Sequence, residues 1–203
     1  MFAEEVDAKI IEFKDKEDHA LIWGQKTTST PISGIGSSKE FDGINALCTS
    51  GGTTIDANGT LTPTLMDQAI DSVRFGANLI ITSKAGRRKV NALLQQYQRF
   101  NDKVEIKGGF RVLAYDDIPV LTSTNVPEAL TCSAGDITAL TGSTTTAIYF
   151  INTDLVFVGE LTPIKALPLA KTSAQFDLVD VYEDITLVCR DLKGITKIVN
   201  VNI

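Results

Sequence analysis

The first part of the chain carries apolar residues at the spacing of an α-helix. Charged side chains, mostly Lys and Glu, fill the other positions between Glu4 and Trp23, so this segment is predicted to form one long amphipathic helix that ends at Gly24. Residues 25–38 are rich in Thr, Ser and Gly, which predicts a loop or an extended arm. The apolar stripe of the helix consists of Val6, Ile10, Phe13 and Leu21.

Turn and cap signals define the next elements. Asn58-Gly59 predicts a turn, because both residues tolerate a positive φ. Thr62 is a good N-cap, so a helix is predicted from Pro63 to about Phe75, with Gly76 just beyond its end.

A short apolar run and a second amphipathic segment follow. Asn78–Thr82 has the length and composition of a buried strand, and Ser83 is predicted to cap a helix from Lys84 to Phe100. This order of helix, strand and helix predicts an α/β layer.

Beyond Asn101 the pattern becomes that of β-strands. Residues 125–146, which are rich in Ser, Thr and Gly, are predicted to form a surface excursion. The last three strands are expected to form an antiparallel meander. The predicted strands are 104–106, 110–115 and 118–122, a hairpin of 147–152 and 155–159 around Asn152-Thr153-Asp154, and finally 176–182, 185–190 and 195–201.

Composition is that of an ordinary globular chain. At 203 residues it can bury a core as one domain or as two connected lobes, and no apolar stretch approaches the roughly 18 residues of a membrane span. The net charge of -6 argues against sequence-specific binding of nucleic acid, because a negatively charged surface repels the phosphate backbone. Cys48, Cys132 and Cys189 are far apart and odd in number, which argues against a disulfide framework or a zinc site and favours a cytoplasmic protein.

Two places contain residue types that occur in metal or catalytic sites. His19 is the only histidine and has no visible Ser, Cys or carboxylate partner, so it is interpreted as a solvated helix residue. The segment Asp56-Ala57-Asn58-Gly59-Thr60 resembles the opening of a calcium loop but lacks the later acidic ligands, so it is interpreted as a turn.

The remaining candidates have equally plain explanations. The glycine pairs are not followed by Gly-Lys-Ser/Thr, the basic triplet lies inside a helix, and the paired acids occupy turns. No catalytic, cofactor-binding or metal-binding residues are therefore predicted, and no cofactor. The glycine pairs are Gly34-Ile35-Gly36 and Gly51-Gly52, the basic triplet is Arg87-Arg88-Lys89, and the paired acids are Asp116-Asp117 and Glu183-Asp184.

Several segments, taken in order, resemble one known family. They are the opening helix Glu4–Trp23, then Glu40–Leu47, Gly59–Thr62, Met66–Ile70, Asn78–Leu94, Arg111–Val120 and Ile148–Thr153. In their order along the chain and in their short sequence motifs, they are similar to the major capsid proteins of tailed phages and prophages with the Hong Kong 97-type fold. The resemblance covers nearly the whole chain.

The resemblance implies an α+β fold with a long spine helix, a peripheral β-sheet and an inserted α/β axial lobe. The composition changes near Ser38 and Leu167, which suggests the same division. The peripheral domain is expected to comprise residues 1–38 and 167–203, and the axial domain residues 39–166. The family's N-terminal arm and extended loop precede the spine helix and have no counterpart here, so this chain is expected to be a monomer or a weak oligomer.

The function implied by the resemblance is that of a structural head protein that self-assembles into an icosahedral shell. The expected partners are copies of itself in pentamers and hexamers, with portal and scaffolding proteins as further possibilities, and neither membrane nor sequence-specific nucleic acid. The expected location is the virion capsid, after synthesis in the host cytoplasm. Two alternatives stay open: a shell subunit of an encapsulin-like nanocompartment, and an unrelated small-molecule-binding or hydrolytic α/β domain that uses loop carboxylates such as Asp116 and Asp136.

Overall fold

A computed structural model of the protein describes residues 2–24, 26, 41–96, 103–105, 111–126, 128, 131–133, 136–139, 144–168 and 179–203. Within these ranges the chain alternates helices with strands and ends in strands, as expected of a mixed α and β protein. The helices are α1 (Phe2–Trp23), α2 (Ile44–Ser50), α3 (Pro63–Ser72) and α4 (Lys84–Gln96), with a 3₁₀ turn at Leu192–Gly194. The strands are β1 (Thr53–Gly59), β2 (Leu79–Thr82), β3 (Lys103–Glu105), β4 (Arg111–Tyr115), β5 (Ile118–Thr122), β6 (Thr131–Ser133), β7 (Asp136–Ala139), β8 (Thr145–Ile151), β9 (Val156–Pro168), β10 (Val179–Cys189) and β11 (Ile195–Asn202).

A seven-stranded mixed sheet forms the centre of the described structure, in the order β1-β11-β8-β2-β5-β4-β3. The pairs β1/β11 and β2/β5 are parallel, and the other pairs are antiparallel. Every residue of β8 is buried, because helices cover both faces of the sheet. Ile148 and Phe150 face the core that includes α3 and α4, whereas Tyr149 and Ile151 face the core that includes α1 and α2.

Three predicted helices are present, and the starts of α3 and α4 follow the predicted caps. The Thr62 hydroxyl accepts a hydrogen bond from the Leu65 amide at 3.3 Å, and the Ser83 hydroxyl accepts one from the Gly86 amide at 3.0 Å. Helix α3 nevertheless ends at Ser72 and not at Phe75, because Val73 turns to an extended conformation and buries its side chain. Residues 97–100, which were predicted to continue α4, lie outside the described residues.

Helix α2 was not predicted as an element. Its seven residues have neither a charged side chain at either end nor a side-chain cap, so the usual signals are absent. The helix exists because the sheet supports it: Ile44, Asn45 and Cys48 are buried against β11. Tertiary packing, and not local propensity, therefore determines this helix.

The predicted turns are confirmed by their backbone geometry. Asn58 and Gly59 have φ values of 47° and 88°, and Asp116 and Asp117 have values of 51° and 63°. Asp116-Asp117 joins β4 and β5 as a two-residue hairpin turn, which requires this left-handed conformation.

Two predictions about strand pairing are wrong. β8 and β9 do not form a hairpin: β8 pairs with β2 and β11, and after Asn152 the chain leaves the sheet. The last strands do not form a meander either, because β10 pairs with β9 while β11 enters the sheet between β1 and β8. The two strands predicted at 176–182 and 185–190 form one strand, β10, over residues 179–189, and residues 176–178 lie outside the described residues. The interpretation of Glu183-Asp184 as turn residues is therefore wrong, because both lie within this strand.

Candidate assembly surface

Strands β9 and β10 form a long two-stranded ribbon, which we call the β-ribbon, outside the main sheet. Its base is held by a turn in which Asn152 accepts hydrogen bonds from the Leu155 and Val156 amides at 3.1 and 2.9 Å. The side-chain amide of Asn152 donates to the carbonyl oxygens of Arg74 and Gly76, at 3.2 and 2.9 Å. The ribbon is thus attached firmly at one end.

The β-ribbon is bent by two irregularities in β9. Ile185 pairs with Glu160 and Asp184 pairs with Thr162, so Leu161 is an extra residue opposite no partner. A second shift lies between Tyr182 and Asp184. Such β-bulges bend a strand and increase its twist.

Three apolar side chains of the β-ribbon are exposed to solvent. Leu161 is 85% exposed, and Val158 and Leu167 are 46% and 47% exposed. A leucine that a bulge directs into water gains nothing from burial within its own chain. These three residues are candidates for contacts with another molecule.

Helix α1 is anchored at its C-terminal end. The Trp23 indole nitrogen donates to the backbone carbonyl oxygen of Asn125 at 2.7 Å, and the Asp18 carboxylate accepts from the Ser123 hydroxyl at 2.6 Å and from the Asn125 side-chain amide at 2.9 Å. Ile22 is buried in the core with Trp23. In the N-terminal half Ile11 is 70% exposed, so this half of the helix offers a surface to a neighbour.

A mostly apolar recess of about 320 Å³ lies between α1, the sheet and the β-ribbon. Val158 lines the recess and is also one of the exposed ribbon residues, so the two features form one continuous surface. Its apolar lining from α1, α2, the sheet and the ribbon is Leu21, Ile22, Ile44, Leu79, Ile81, Ile151, Val156, Phe157, Val158 and Leu187.

The contact between α1 and the β-ribbon places three carboxylates close together. Partial burial raises the pKa of Glu183, and the negative charges of Glu17 on α1 and Glu160 on β9 raise it further, while Lys14 opposes the shift. One carboxylate oxygen of Glu183 is buried without a hydrogen-bond partner. The ionised form of Glu183 is therefore disfavoured in the folded state.

We expect Glu183→Gln to stabilise the fold at pH 7 and to reduce its dependence on pH. Because the folded-state pKa is raised, the wild-type chain gains stability as the pH falls through that pKa and loses it as the pH rises. The gain should be less than about 1 kcal/mol, since the group is partly in water. Chemical denaturation between about pH 4 and pH 8 measures it. Glu17→Gln, which removes one repulsive neighbour, should shift stability in the same direction by less, and a loss of stability in Glu183→Gln would contradict the assignment.

The candidate site residues from the sequence do not form one catalytic or metal-binding site among the described residues. His19 is half-buried on α1, and the Asp56 carboxylate accepts hydrogen bonds from the Asn58 amide and the Asn200 side chain, at 2.8 and 3.0 Å. Asp56 therefore has the role of a turn residue, as interpreted from the sequence. Among the described residues no group of three or more His, Cys, Asp or Glu could hold a metal ion.

The glycine and basic candidates also have structural places. Gly51 and Gly52 join α2 to β1, and a Cβ atom on Gly52 would lie 2.8 Å from the Cys48 Cα atom and from the Ile195 carbonyl oxygen. Arg87 and Arg88 are exposed on α4. Gly34-Ile35-Gly36 lies outside the described residues, as does the side chain of Asp136.

Cys48 and Cys189 are free thiols, and the side chain of Cys132 lies outside the described part of the structure. Burial raises the pKa of Cys48 to about 12, although Lys197 nearby acts in the opposite direction. The thiol of Cys48 is consequently protonated at neutral pH and behaves as a small apolar core residue. No helix among the described residues has both the length and the apolar character needed to cross a membrane.

Comparison with known proteins gives a family and a fold. The family model described as SU10 major capsid protein matches residues 1–202. No curated protein sequence matches the chain. Among solved structures, the holo-SrpI encapsulin complex from Synechococcus elongatus PCC 7942 is similar with a TM-score of 0.67 at 13% identity, over 100% of this chain and 66% of that chain.

Capsid structures are similar as well. The capsid of an empty GTA particle has a TM-score of 0.59 at 13% identity, and that of a native GTA particle has 0.54 at 12% identity. Each covers 99% of this chain and 66% of that chain. The chain thus spans slightly less than two thirds of the length of these structures, and at such identities the likeness shows the Hong Kong 97-like fold alone.

Proposed function

We propose that this chain, which belongs to the family of SU10 major capsid proteins, is a capsid shell subunit whose copies join through the β-ribbon and α1. The observation that carries this proposal is the exposed, bulged ribbon with Leu161 at its bend. A two-stranded ribbon is marginally stable in water, and its outer edges can pair with or pack against another chain. Among the described residues no third strand pairs with β9 or β10.

The proposed role is structural, without catalysis by the chain itself. Shell contacts are large and partly polar, and their geometry sets the curvature of the assembly. A bent ribbon fixed at Asn152 can hold such a geometry, and the apolar recess beside α1 adds area to it. The same subunits are proposed to meet portal and scaffolding proteins in the head, after synthesis in the host cytoplasm.

The division into a peripheral domain (1–38 and 167–203) and an axial domain (39–166) belongs to this proposal. The contact of α1 with β10 supports the peripheral domain. The pairing of β9 with β10 and the position of β11 in the main sheet favour other boundaries, so that both strands of the β-ribbon belong with α1 and β11 belongs with the axial domain.

A nanocompartment shell is the second candidate, since the fold is also that of an encapsulin. The family model favours the phage head. The genes beside this one discriminate between the two: portal and terminase genes indicate a phage head, and the gene for a cargo enzyme indicates a nanocompartment.

We expect Leu161→Ser to lower the association constant of the chain by about tenfold or more, because an apolar side chain that is buried on contact contributes about 1.5–3 kcal/mol. Sedimentation velocity over a range of concentrations measures the association constant. The matched control is Phe75→Asn, which removes a side chain that is 81% exposed, at a backbone φ of 64° that asparagine tolerates. Equal association of both variants and the wild type would rule out the ribbon as a contact.

A further inference from the structure

Two helices of this chain carry opposite charge. Helix α4 contains Lys84, Arg87, Arg88 and Lys89 and no acidic residue, although the whole chain has a net charge of -6. Helix α1 contains seven acidic residues and three lysines, and its first two turns carry Glu4, Glu5 and Asp7 before the first lysine. Charge is therefore concentrated on specific elements, and such patches guide association.

The basic residues of α4 lie where the helix itself disfavours them. All four are exposed and fall in the first two turns, close to the positive end of the helix dipole. The carboxylate of Glu128 accepts a hydrogen bond from the Ala85 amide at 2.8 Å, so it caps the backbone of this helix. Among the described residues no ion pair forms with Arg87, Arg88 or Lys89. Neither the helix nor the rest of the described chain compensates these three charges.

A recess of about 530 Å³ lies beside the same part of α4. Arg87, Arg88 and Asn91 line one side of it, and residues of β4 and β5 line the other. A concave surface with two guanidinium groups at its rim suits a convex, acidic segment, because arginine presents several donors to carboxylates.

The acidic start of α1 has matching properties. Glu5 and Asp7 are exposed and form no ion pair with a described residue. Glu12, by contrast, is already neutralised within the helix by Lys9 at 2.7 Å and Lys16 at 2.8 Å. Negative charge without an ion-pair partner therefore remains at the N-terminal end of α1, away from the end that Trp23 anchors.

We propose that Arg87, Arg88 and Lys89 on α4 of one copy bind the acidic first turns of α1, around Glu5 and Asp7, of a second copy. The inference rests on the proposed assembly of this chain into a shell and names the charged contact that orients the copies. The contact is heterologous, since it joins different surfaces of the two copies, and such contacts generate rings when the rotation closes. A second copy fits better than nucleic acid, because the chain itself supplies an exposed acidic segment of matching charge.

Charge reversal tests this contact. The variants Arg87→Glu/Arg88→Glu and Glu5→Lys/Asp7→Lys each place like charges in the contact, so each alone should associate about tenfold or more weakly than the wild type. An equimolar mixture of the two variants should recover association, since every basic-reversed surface then meets an acid-reversed one. Added salt should weaken association of the wild type. Sedimentation velocity measures association, and circular dichroism confirms that each variant is folded.

The control is Lys26→Glu/Lys193→Glu, which changes the net charge by the same amount as Arg87→Glu/Arg88→Glu on exposed residues of other segments. It should associate as the wild type does. Normal association of both reversal variants, or failure of the mixture to recover, overturns the charged contact while leaving the proposed function intact. The charged contact is also overturned if Arg87→Glu/Arg88→Glu loses binding to duplex DNA but still associates normally. A wild-type chain that never associates contradicts the proposed function itself.

Discussion

Replacement of Lys197 by alanine should lower the free energy of unfolding by about 3–5 kcal/mol. Lys197 is fully buried in β11, and its ammonium group donates to the Asn45 side-chain oxygen and to the Thr49 hydroxyl, each at 3.0 Å. Both acceptors belong to α2, so the lysine ties this short helix to the sheet. Alanine would leave a cavity and would deprive the buried Asn45 of a donor.

Lys197→Met separates the two contributions. Methionine fills most of the volume, so it avoids most of the cavity, but like alanine it removes the hydrogen bonds to Asn45 and Thr49. The loss in Lys197→Met should therefore be below about 2 kcal/mol. Urea denaturation of the wild type and both variants gives the three unfolding free energies. If Lys197→Met lowers the free energy of unfolding as much as Lys197→Ala does, the hydrogen bonds to α2, and not packing, account for most of the stabilisation by Lys197.

Lys197 also shows why the sequence did not reveal α2. A lysine in a β-pattern is normally interpreted as a solvent-facing residue, and residues 44–50 have no cap or charge signal. The helix and the lysine satisfy each other only once β11 lies inside the sheet. This mutual dependence is a long-range property, with the hydrogen-bonded residues about 150 positions apart.

The sequence is sufficient to predict helix starts and turns, because these depend on residues that are close together along the chain. Thr62 and Ser83 cap their helices as expected, and Asn58-Gly59 and Asp116-Asp117 form the turns that their tolerance of positive φ predicts. The resemblance of the chain to phage capsid proteins is confirmed by the family model over residues 1–202. Local signals and block order thus identified most elements and the family.

The predictions of which strands pair are the ones that are wrong, and the reason is physical. A run such as residues 145–151 is apolar on both faces, and such a run can be central in a sheet or part of a hairpin. The sequence around Asn152 predicts a turn but not that β9 leaves the sheet after it. The candidate surface was missed for the same reason, because the exposure of Leu161 follows from a bulge that depends on pairing with β10.

Deletion of Leu161 should reduce the association constant by about thirtyfold or more, which corresponds to the loss of a central contact residue. The deletion joins Glu160 to Thr162, whose partners Ile185 and Asp184 are already adjacent on β10, so pairing can continue without the bulge. The ribbon would lose both the exposed leucine and one of its two bends. Because Leu161 is not part of either buried core, the unfolding free energy should change little.

Comparison with Leu161→Ser isolates the role of the bend. The serine variant keeps the bulge and loses the leucine, whereas the deletion loses both, so the ratio of their association constants measures what the curvature of the ribbon contributes. We expect the deletion to associate several-fold more weakly than the serine variant, with both chains equally stable in urea. Equal association constants would show that the leucine alone makes the contact and that the direction of the ribbon has no influence on assembly. A deletion variant that still associated like the wild type would remove the structural basis for assigning the shell contact to β9 and β10.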